Sequence, residues 1–317
     1  MKISIITPSY NQAQYIEQTI LSVLNQGYKD FEYIIIDGGS TDGSVEIIKK
    51  YEKHLKYWVS EKDNGQSHAL NKGFALATGD IVCWLNSDDL FEANALKRVA
   101  AFFRENEDVN FLQGQVVNFS TNSQEVIKAQ RLNDIEMVKR VALHQPGVFW
   151  KREILNTTGH IDESLYYCMD YDLWMRFYFN YKIGYIDEPL ARFRIHDSSK
   201  TNDNPIKMYM EYRKIASRFF SSVSSDSLDV LKSLELYDND KNVKYSIQLD
   251  SIKTPLSELL NVYVNECAIQ EYSQGHIKKA NELFSFVLQN EPSLKTVLFK
   301  VKNWLGIKKF SNYFNLS

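Results

Sequence analysis

Four short apolar segments constrain the fold of this chain more than any other feature. KISIIT (2–7), EYIIID (32–37), YWVSE (57–61) and DIVCWLN (80–86) each have the length of a buried strand, and stretches of helical periodicity separate them. This alternation predicts an α/β fold with a mostly parallel central sheet and helices on both faces. Ligands bind such sheets beyond the carboxyl ends of the strands. The polar clusters TPSYN, DGGSTDG and NSDD directly follow three of these strands, so we expect them to share one edge.

Composition excludes several classes of protein. The 317 residues include 37 basic and 40 acidic side chains, a net charge of −3 that offers no electrostatic surface for nucleic acid. Cys83, Cys168 and Cys267 are odd in number and far apart, as expected for free thiols in a reducing compartment. The N-terminal apolar run is too short for a signal peptide, and no apolar run reaches the about 18 residues of a membrane helix. The sequence therefore predicts a cytoplasmic protein with no nucleic-acid partner.

A polar stretch near residue 200, DSSKTNDNPI, predicts a boundary between an α/β domain at 1–204 and a helical region at 205–317. Within the second region, small and apolar residues over 262–292 follow the spacing of one tetratricopeptide-type hairpin. One such unit cannot bury its faces without neighbours, so a generic amphipathic hairpin is the favoured interpretation.

The cluster NSDD (86–89) carries the clearest chemistry in the residues themselves. Adjacent carboxylates repel each other unless a positive charge lies between or beside them. Carboxylate oxygens suit Mg²⁺ or Mn²⁺, which proteins commonly share with substrate phosphates. The alternative is a solvated turn that caps a helix beginning near Glu92.

Six blocks in order over residues 1–200 resemble the family 2 glycosyltransferases of GT-A fold. They are ITPSYNQAQYIEQTILSVLNQ, YIIIDGGSTDGS, DNGQSHALNKG to ATGDIVCWLNSDD, HQPGVFWKREIL, GHID to YCMDYDLWMRF, and FRIHDSSKT. The chain is most similar to bacterial members that build surface polysaccharides. The resemblance implies an inverting, Mn²⁺- or Mg²⁺-dependent hexosyl- or N-acetylhexosaminyltransferase. Its donor would be a nucleotide-diphosphate sugar, commonly UDP-linked, and its acceptor a saccharide or lipid-linked saccharide.

The resemblance also implies which residues contact the donor. They match the family's loops for base, ribose, diphosphate and sugar, and they are Pro8, Ser9, Tyr10, Asp37, Asp63, Lys72, Asn86, Ser87, Asp88, Arg194 and Lys200. Asp37 matches the reader of the nucleotide base, and a carboxylate is a suitable acceptor for an imide N–H. The alternatives are a turn-forming role for Asp37 and an exposed helical position for Lys72.

Metal ligation is implied for Asp88, Asp89 and His196. NSDD matches the family motif Asp-x-Asp-Asp except at Asn86, which removes one negative charge beside the metal. His196 matches a late histidine that reaches the metal or diphosphate in several relatives, although an isolated histidine is more often structural.

The catalytic base is implied to be Asp170, at the start of a predicted helix. The family has Glu-Asp where this chain has Met169-Asp170, so the supporting carboxylate is missing. A helix-start carboxylate stabilised by the helix dipole is the alternative for Asp170. His144, Gln145 and Trp174 are candidates for the sugar or acceptor pocket, with a turn or a core position as the alternatives.

The segment after Pro292 holds five lysines and no acidic residue, with apolar residues at helical spacing. A basic amphipathic helix of this kind suits an anionic membrane surface, which would make the protein peripheral on the inner face of the membrane. Packing of the same apolar stripe on the protein is the alternative.

Two other functions compete with the transferase. A nucleotide-dependent oxidoreductase is excluded because DGGSTDG does not match GxGxxG and because the first strand leads into TPSYN rather than into a glycine loop. A non-catalytic sugar-nucleotide-binding or scaffold relative with a helical interaction tail stays open, because Asn86 and Met169 depart from the family motifs.

Overall fold

The computed structural model describes residues 1–139, 143–196, 200, 204–238 and 245–290. The strands in these residues are β1 (Ile3–Ser9), β2 (Phe31–Asp37), β3 (Tyr57–Ser60), β4 (Ile81–Trp84), β5 (Leu90–Phe91), β6 (Phe111–Phe119), β7 (Gln124–Ile127), β8 (Val148–Lys151) and β9 (Ile183–Arg194). They form one sheet of order β3-β2-β1-β4-β8-β6-β9-β5, with β7 paired to β6. The strands β3, β2, β1 and β4 run parallel, as do β6 and β9, whereas β8, β7 and β5 are antiparallel to their neighbours. The expected α/β class is confirmed.

The α-helices of the described residues alternate with the first strands and then dominate the later part of the chain. They are α1 (Ile16–Leu24), α2 (Ser44–Lys50), α3 (Gln66–Leu76), α4 (Ala95–Glu105), α5 (Asp134–Lys139), α6 (Leu155–Thr158), α7 (Met169–Tyr178), α8 (Pro205–Val223), α9 (Ser225–Ser233), α10 (Leu256–Ser273) and α11 (Ile277–Asn290). None of the helices in the described ranges is long and apolar enough to cross a membrane.

Buried strands at the centre of the sheet explain the continuous apolar runs of the sequence. Every residue of β1 and β4 is buried, and in β2 only the first is partly exposed, because parallel strands are covered on both sides. Helix α3 packs closely on β1 at Gly73, where an added Cβ would lie 2.4 Å from a methyl carbon of Ile6. The absence of a side chain at Gly73 therefore lets α3 lie close against β1.

The boundaries differ from the predicted ones near two of the polar clusters. Strand β1 continues through Pro8 and Ser9, because at this end it pairs only with β2 and the missing N–H of proline costs no bond. The helix expected near Glu92 begins instead at Ala95, because β5 comes first and pairs with β9.

The chain divides into two compact units. The first contains Met1–Leu132, Val141–Tyr212 and Tyr245–Ser251, and the second contains Asn133–Arg140, Arg213–Lys244 and Ile252–Ser317. In the second unit α10 and α11 form a helical hairpin around Gly275, whose φ of +85° suits glycine. The basic segment after Pro292 lies outside the described residues.

Candidate functional site

Asp37, the last residue of β2, organises the loop that follows it. Its buried carboxylate accepts five hydrogen bonds: from the hydroxyls of Ser9 (3.0 Å), Ser40 (2.5 Å) and Ser60 (2.7 Å), and from the backbone N–H groups of Gly39 (3.1 Å) and Ser40 (2.9 Å). A carboxylate offers about four lone-pair sites, so this one is already filled by protein donors. Asp37 therefore joins the carboxyl ends of β1, β2 and β3.

Asp63 lies beside the same loop, against Gly38. A Cβ built on Gly38 would be 3.0 Å from Oδ2 of Asp63, closer than side chains normally approach. The other carboxylate oxygen of Asp63 accepts a 2.8 Å bond from the N–H of Gly65. The absence of a side chain at Gly38 thus makes room for the Asp63 carboxylate at this edge of the sheet.

Two predicted donor residues on this side have distinct surroundings. The ammonium of Lys72 donates to Glu61 at 2.6 Å in an exposed ion pair. This agrees with the alternative interpretation of Lys72 as an exposed residue of a helix. Tyr10 directly follows β1, and 63% of it is exposed to solvent. Tyr10 is therefore accessible to a ligand, whereas the charge of Lys72 is shared with a surface carboxylate.

The main chain of the NSDD loop is held from two neighbouring elements. The hydroxyl of Thr19, on α1, lies 2.9 Å from the carbonyl oxygen of Ser87 and 2.8 Å from that of Asp89. Nε of Arg194 donates to the carbonyl of Asp88 at 2.8 Å. These contacts hold the loop through its main chain.

The two carboxylates of the loop point in different directions. Asp89 is buried, and its Oδ1 accepts the backbone N–H of Arg194 at 2.9 Å. Burial and the neighbouring Asp88 raise the pKa of Asp89 well above its usual value. Predicted as a metal ligand, Asp89 instead ties the loop to the end of β9 in this structure.

Asp88 faces a histidine in a partly open position. Its Oδ2 lies 3.1 Å from Nε2 of His196, and the two side chains are 22% and 12% exposed. The ring of Tyr15 covers the imidazole, with ring centroids 5.0 Å apart. Within the described ranges no group of three or more His, Cys, Asp or Glu side chains could hold a metal, so a cation bound at Asp88 and His196 would need other ligands.

Arg194, predicted to hold the diphosphate, is engaged by the protein on several sides. Its guanidinium carbon lies 4.7 Å from the ring centroid of Tyr15 and 4.5 Å from that of Phe119. Its Nη2 donates to Gln18 at 2.8 Å. Together with its contact to the Asp88 carbonyl, these interactions make Arg194 a support for the NSDD loop.

A chain of side-chain amides crosses the site. Nζ of Lys200 donates to Gln66 at 3.0 Å, and Nε2 of Gln66 donates to Asn86 at 2.9 Å. Asn86 then donates to Gln145 at 3.1 Å, and Gln145 donates to the carbonyl of Trp84 at 2.7 Å. An amide at position 86 both donates and accepts here, which an aspartate could not do.

Asp170 occupies the first turn of α7. Its Oδ1 accepts the N–H of Tyr171 at 2.8 Å. Burial raises the pKa of Asp170, and the nearby Lys200 ammonium opposes that rise. The adjacent Met169 is buried, with its sulfur 2.8 Å from the hydroxyl of Ser67. The missing glutamate of the family dyad is therefore replaced by a side chain that packs inward.

The remaining candidates lie at different depths. Trp174 is fully buried and stacks on Trp84, with ring centroids 5.4 Å apart and an interplanar angle of 8°. The structure thus places Trp174 in the core, the alternative left open by the sequence, where a sugar has no access. His144 is partly exposed, and burial lowers the pKa of its imidazole.

The structure joins five of the predicted residues around the NSDD loop and adds others. Asp88 contacts both His196 and Arg194. Gln66 connects Lys200 with Asn86, in the same loop as Asp88. The additions are Gln66, Tyr15 and Thr19. In a parallel α/β unit the helix that follows a strand starts at the ligand-binding edge, so helix starts were the signal available for Tyr15 and Gln66.

A mostly parallel sheet with polar loops at its carboxyl edge is the architecture of enzymes that bind their ligands at that edge. The sequence model of the family described as glycosyl transferase family 2 matches residues 4–161. The chain belongs to this family and is a glycosyltransferase, as the sequence motifs predicted.

Curated relatives support the assignment. An uncharacterized glycosyltransferase of Rickettsia typhi is 28% identical over 245 residues, covering 73% of this chain and 75% of that protein. A PGL/p-HBAD biosynthesis glycosyltransferase of Mycobacterium bovis is 33% identical over 183 residues, covering 56% of this chain and 70% of that protein.

Solved structures share the fold. S. aureus TarS 1-349 in complex with UDP-GlcNAc has a TM-score of 0.62 at 18% identity and covers 96% of this chain and 89% of its own. The mannosyltransferase PcManGT from Pyrobaculum calidifontis, in complex with GDP-Man and Mn²⁺, has a TM-score of 0.54 at 19% identity and covers 97% of this chain and 81% of its own. The predicted GT-A architecture is confirmed.

Proposed function

We propose that the protein is an inverting glycosyltransferase that moves a hexosyl or N-acetylhexosaminyl group from a UDP-linked donor to a saccharide or lipid-linked saccharide. The observation that carries this proposal is the position of Asp170, a single carboxylate in the first turn of α7 with a raised pKa and within electrostatic reach of Lys200, whose ammonium is connected through Gln66 to the NSDD loop. UDP-GlcNAc in the TarS complex supports the choice of a UDP-linked donor. Bacterial surface-polysaccharide synthesis is the setting that the sequence motifs favour.

Asp170 would act as the general base. The acceptor hydroxyl loses its proton to the carboxylate while its oxygen attacks the anomeric carbon opposite the departing diphosphate, so the configuration at that carbon inverts. A carboxylate whose pKa is raised by burial is, in its ionised form, a stronger base than an exposed aspartate. One carboxylate suffices because the leaving diphosphate needs no proton when its charge is balanced.

The residues present fit a divalent cation at Asp88 and His196. A carboxylate oxygen and an imidazole nitrogen 3.1 Å apart can turn toward one ion, and imidazole is a ligand more typical of Mn²⁺ than of Mg²⁺. The donor diphosphate would complete the coordination, as expected for a site with few protein ligands. Bound there, the cation would stabilise the negative charge of the leaving group. Asp89 would support the loop from behind.

The donor would extend along the carboxyl edge of the sheet. Tyr10 and Asp63 are the exposed or partly exposed candidates for the nucleoside, whereas Asp37 would shape the loop beneath it and reach a base only by giving up a protein donor. Lys200 and Asn86 would lie toward the diphosphate and sugar, and His144 and Gln145 toward the sugar or acceptor.

Substitution of the base tests this mechanism. Asp170→Asn should lower transfer by about 10²- to 10⁴-fold, because a general base contributes that much, while the dissociation constant for UDP-sugar in Mn²⁺ stays unchanged. Glu163→Gln, which neutralises an exposed carboxylate earlier in the same loop, is the matched control. NMR of the product's anomeric configuration gives the stereochemistry. Near-normal turnover of the asparagine variant, or retention of configuration, would contradict the proposal.

We also propose that the protein is cytoplasmic and binds the inner membrane surface through its basic final segment, where lipid-linked acceptors are found. Five lysines without an acidic residue follow Pro292. The full chain should co-sediment with vesicles containing anionic lipid, whereas a chain ending at Pro292 should not. Equal binding of the two chains would refute the role of the segment.

A further inference from the structure

Glu211 makes three contacts that the transferase motifs do not account for. It lies on α8, and its carboxylate accepts the backbone N–H groups of three consecutive residues that lead into α7. Oε1 accepts from Tyr166 at 2.8 Å, and Oε2 accepts from Tyr167 at 2.7 Å and from Cys168 at 2.8 Å. These partners are 43 to 45 residues away along the chain. No block of the sequence marks Glu211.

These bonds hold the segment that leads into α7. The N-cap residue of α7, Cys168, makes no side-chain cap of its own, and its N–H is the last of the three bound by Glu211. Backbone N–H groups bound to a carboxylate form charge-assisted hydrogen bonds, roughly twice as strong as neutral ones. A single carboxylate that binds three successive N–H groups fixes the direction in which the chain enters the helix.

Further contacts from the same turns of α8 reach both sides of Asp170. The sulfur of Cys168 lies 3.5 Å from the carbonyl oxygen of Met208, before Asp170. The rings of Tyr212 and Tyr171 stack with centroids 5.8 Å apart, directly after it. Residues 208–212 therefore hold the main chain on either side of the carboxylate.

The position of Asp170 depends on that main chain. Its Oδ1 bonds to the N–H of the next residue in the same turn, so the carboxylate moves with the backbone that carries it. A general base must lie within hydrogen-bond reach of the acceptor hydroxyl, and a displacement of about 1 Å can cost about 10²-fold in rate.

We propose that Glu211 is a positioning residue: by binding the N–H groups of residues 166–168, it orients Asp170 toward the acceptor hydroxyl. This inference rests on the proposed function of Asp170 as the base. Glu211 itself touches no substrate and acts through the loop.

The test compares Glu211→Gln with Glu163→Gln in the full chain. Glutamine keeps the size but has one acceptor oxygen, so it cannot serve all three N–H groups. We expect kcat to fall by about 10- to 100-fold with an unchanged dissociation constant for UDP-sugar in Mn²⁺. Amide hydrogen exchange at residues 166–168 should accelerate without donor present. Glu163 meets the side chain of Asn71, so its variant should change neither quantity.

A second variant separates geometry from charge. Glu211→Asp keeps the charge but shortens the side chain, so positioning predicts faster exchange at 166–168 and a lower kcat. A normal kcat in the aspartate variant would overturn the proposal. So would a normal kcat in Glu211→Gln when hydrogen exchange at residues 166–168 is faster. Unchanged hydrogen exchange at these residues in either variant would also overturn it. If Glu211→Gln fails to fold, the aspartate variant decides by the same two measurements. Absence of transfer in the unmodified protein would instead refute the proposed function, while hydrogen exchange still reports on the loop.

Discussion

Asp37 ends strand β2 and Asp88 lies in the loop after β4, at the same edge of the sheet, yet their surroundings are opposite. The carboxylate of Asp37 is buried and accepts five protein hydrogen bonds, whereas Asp88 is partly exposed and faces one imidazole. A filled carboxylate shapes a loop, and one with spare lone pairs can bind a ligand. The difference shows that a motif position alone does not distinguish the two roles.

The same contrast separates Asp89 from Asp170. Burial raises the pKa of both, but Asp89 points inward to the backbone of Arg194, while Asp170 lies at a helix start beside Lys200. The direction of the side chain, not its pKa, therefore separates a supporting carboxylate from a catalytic candidate.

Loss of the Asp37 carboxylate should have the largest effect on stability. Asp37→Ala leaves several buried donors without an acceptor, each costing about 1–3 kcal/mol, so we expect the free energy of unfolding to fall by about 3 kcal/mol or more. Denaturant unfolding measures this change. An unchanged stability together with weaker UDP-sugar binding would show that Asp37 acts on the base, as the family motif implies.

Alanine at Asp88 and at Asp89 should give opposite phenotypes. Asp89→Ala removes the acceptor for the N–H of Arg194 and should lower the free energy of unfolding by about 1–3 kcal/mol. Asp88→Ala should alter stability by about 0.5 kcal/mol or less but abolish the Mn²⁺ dependence of UDP-sugar binding. Calorimetric titration with and without Mn²⁺ distinguishes them, and loss of Mn²⁺-dependent binding in both variants would remove the contrast.

The pH dependence should show the smallest change. Because the proposed base must be ionised, kcat should rise with pH through the pKa of Asp170, which burial places above the usual value of about 4. The positive charge of Lys200 lowers that pKa, so Lys200→Met should move the acid limb of the kcat profile to higher pH.

A lysine on the surface provides the control for this shift. Lys72→Met removes an ammonium that is paired with Glu61, so the acid limb should stay in place. If the acid limb of the kcat profile stays at the same pH in the Lys200 variant, kcat does not depend on the ionisation of Asp170.

The sequence was sufficient for the first half of the sheet. β1, β2, β3 and β4 are local apolar runs whose alternation with helices dictates parallel pairing. The place of β8 between β4 and β6 could not be predicted, because it depends on antiparallel pairing between distant segments with no connecting turn signal.

The sequence motifs identify the candidate site residues, but they do not identify the side chains that contact those residues. Lys72 and Trp174 look suitable by type, but Glu61 neutralises one and Trp84 stacks on the other. Those partners are fixed by how helices α3 and α7 pack. The contacts of Glu211 with residues 166–168 lie beyond any sequence pattern for the same reason.

The hydroxyl of Thr19 lies within hydrogen-bond distance of two carbonyls in the NSDD loop, and Arg194 donates to a third. A loop fixed by its backbone tolerates exchange of the side chains it displays. Asp88 can therefore be varied to change cation preference while the fold is retained, which makes this position a natural place to engineer the enzyme's specificity.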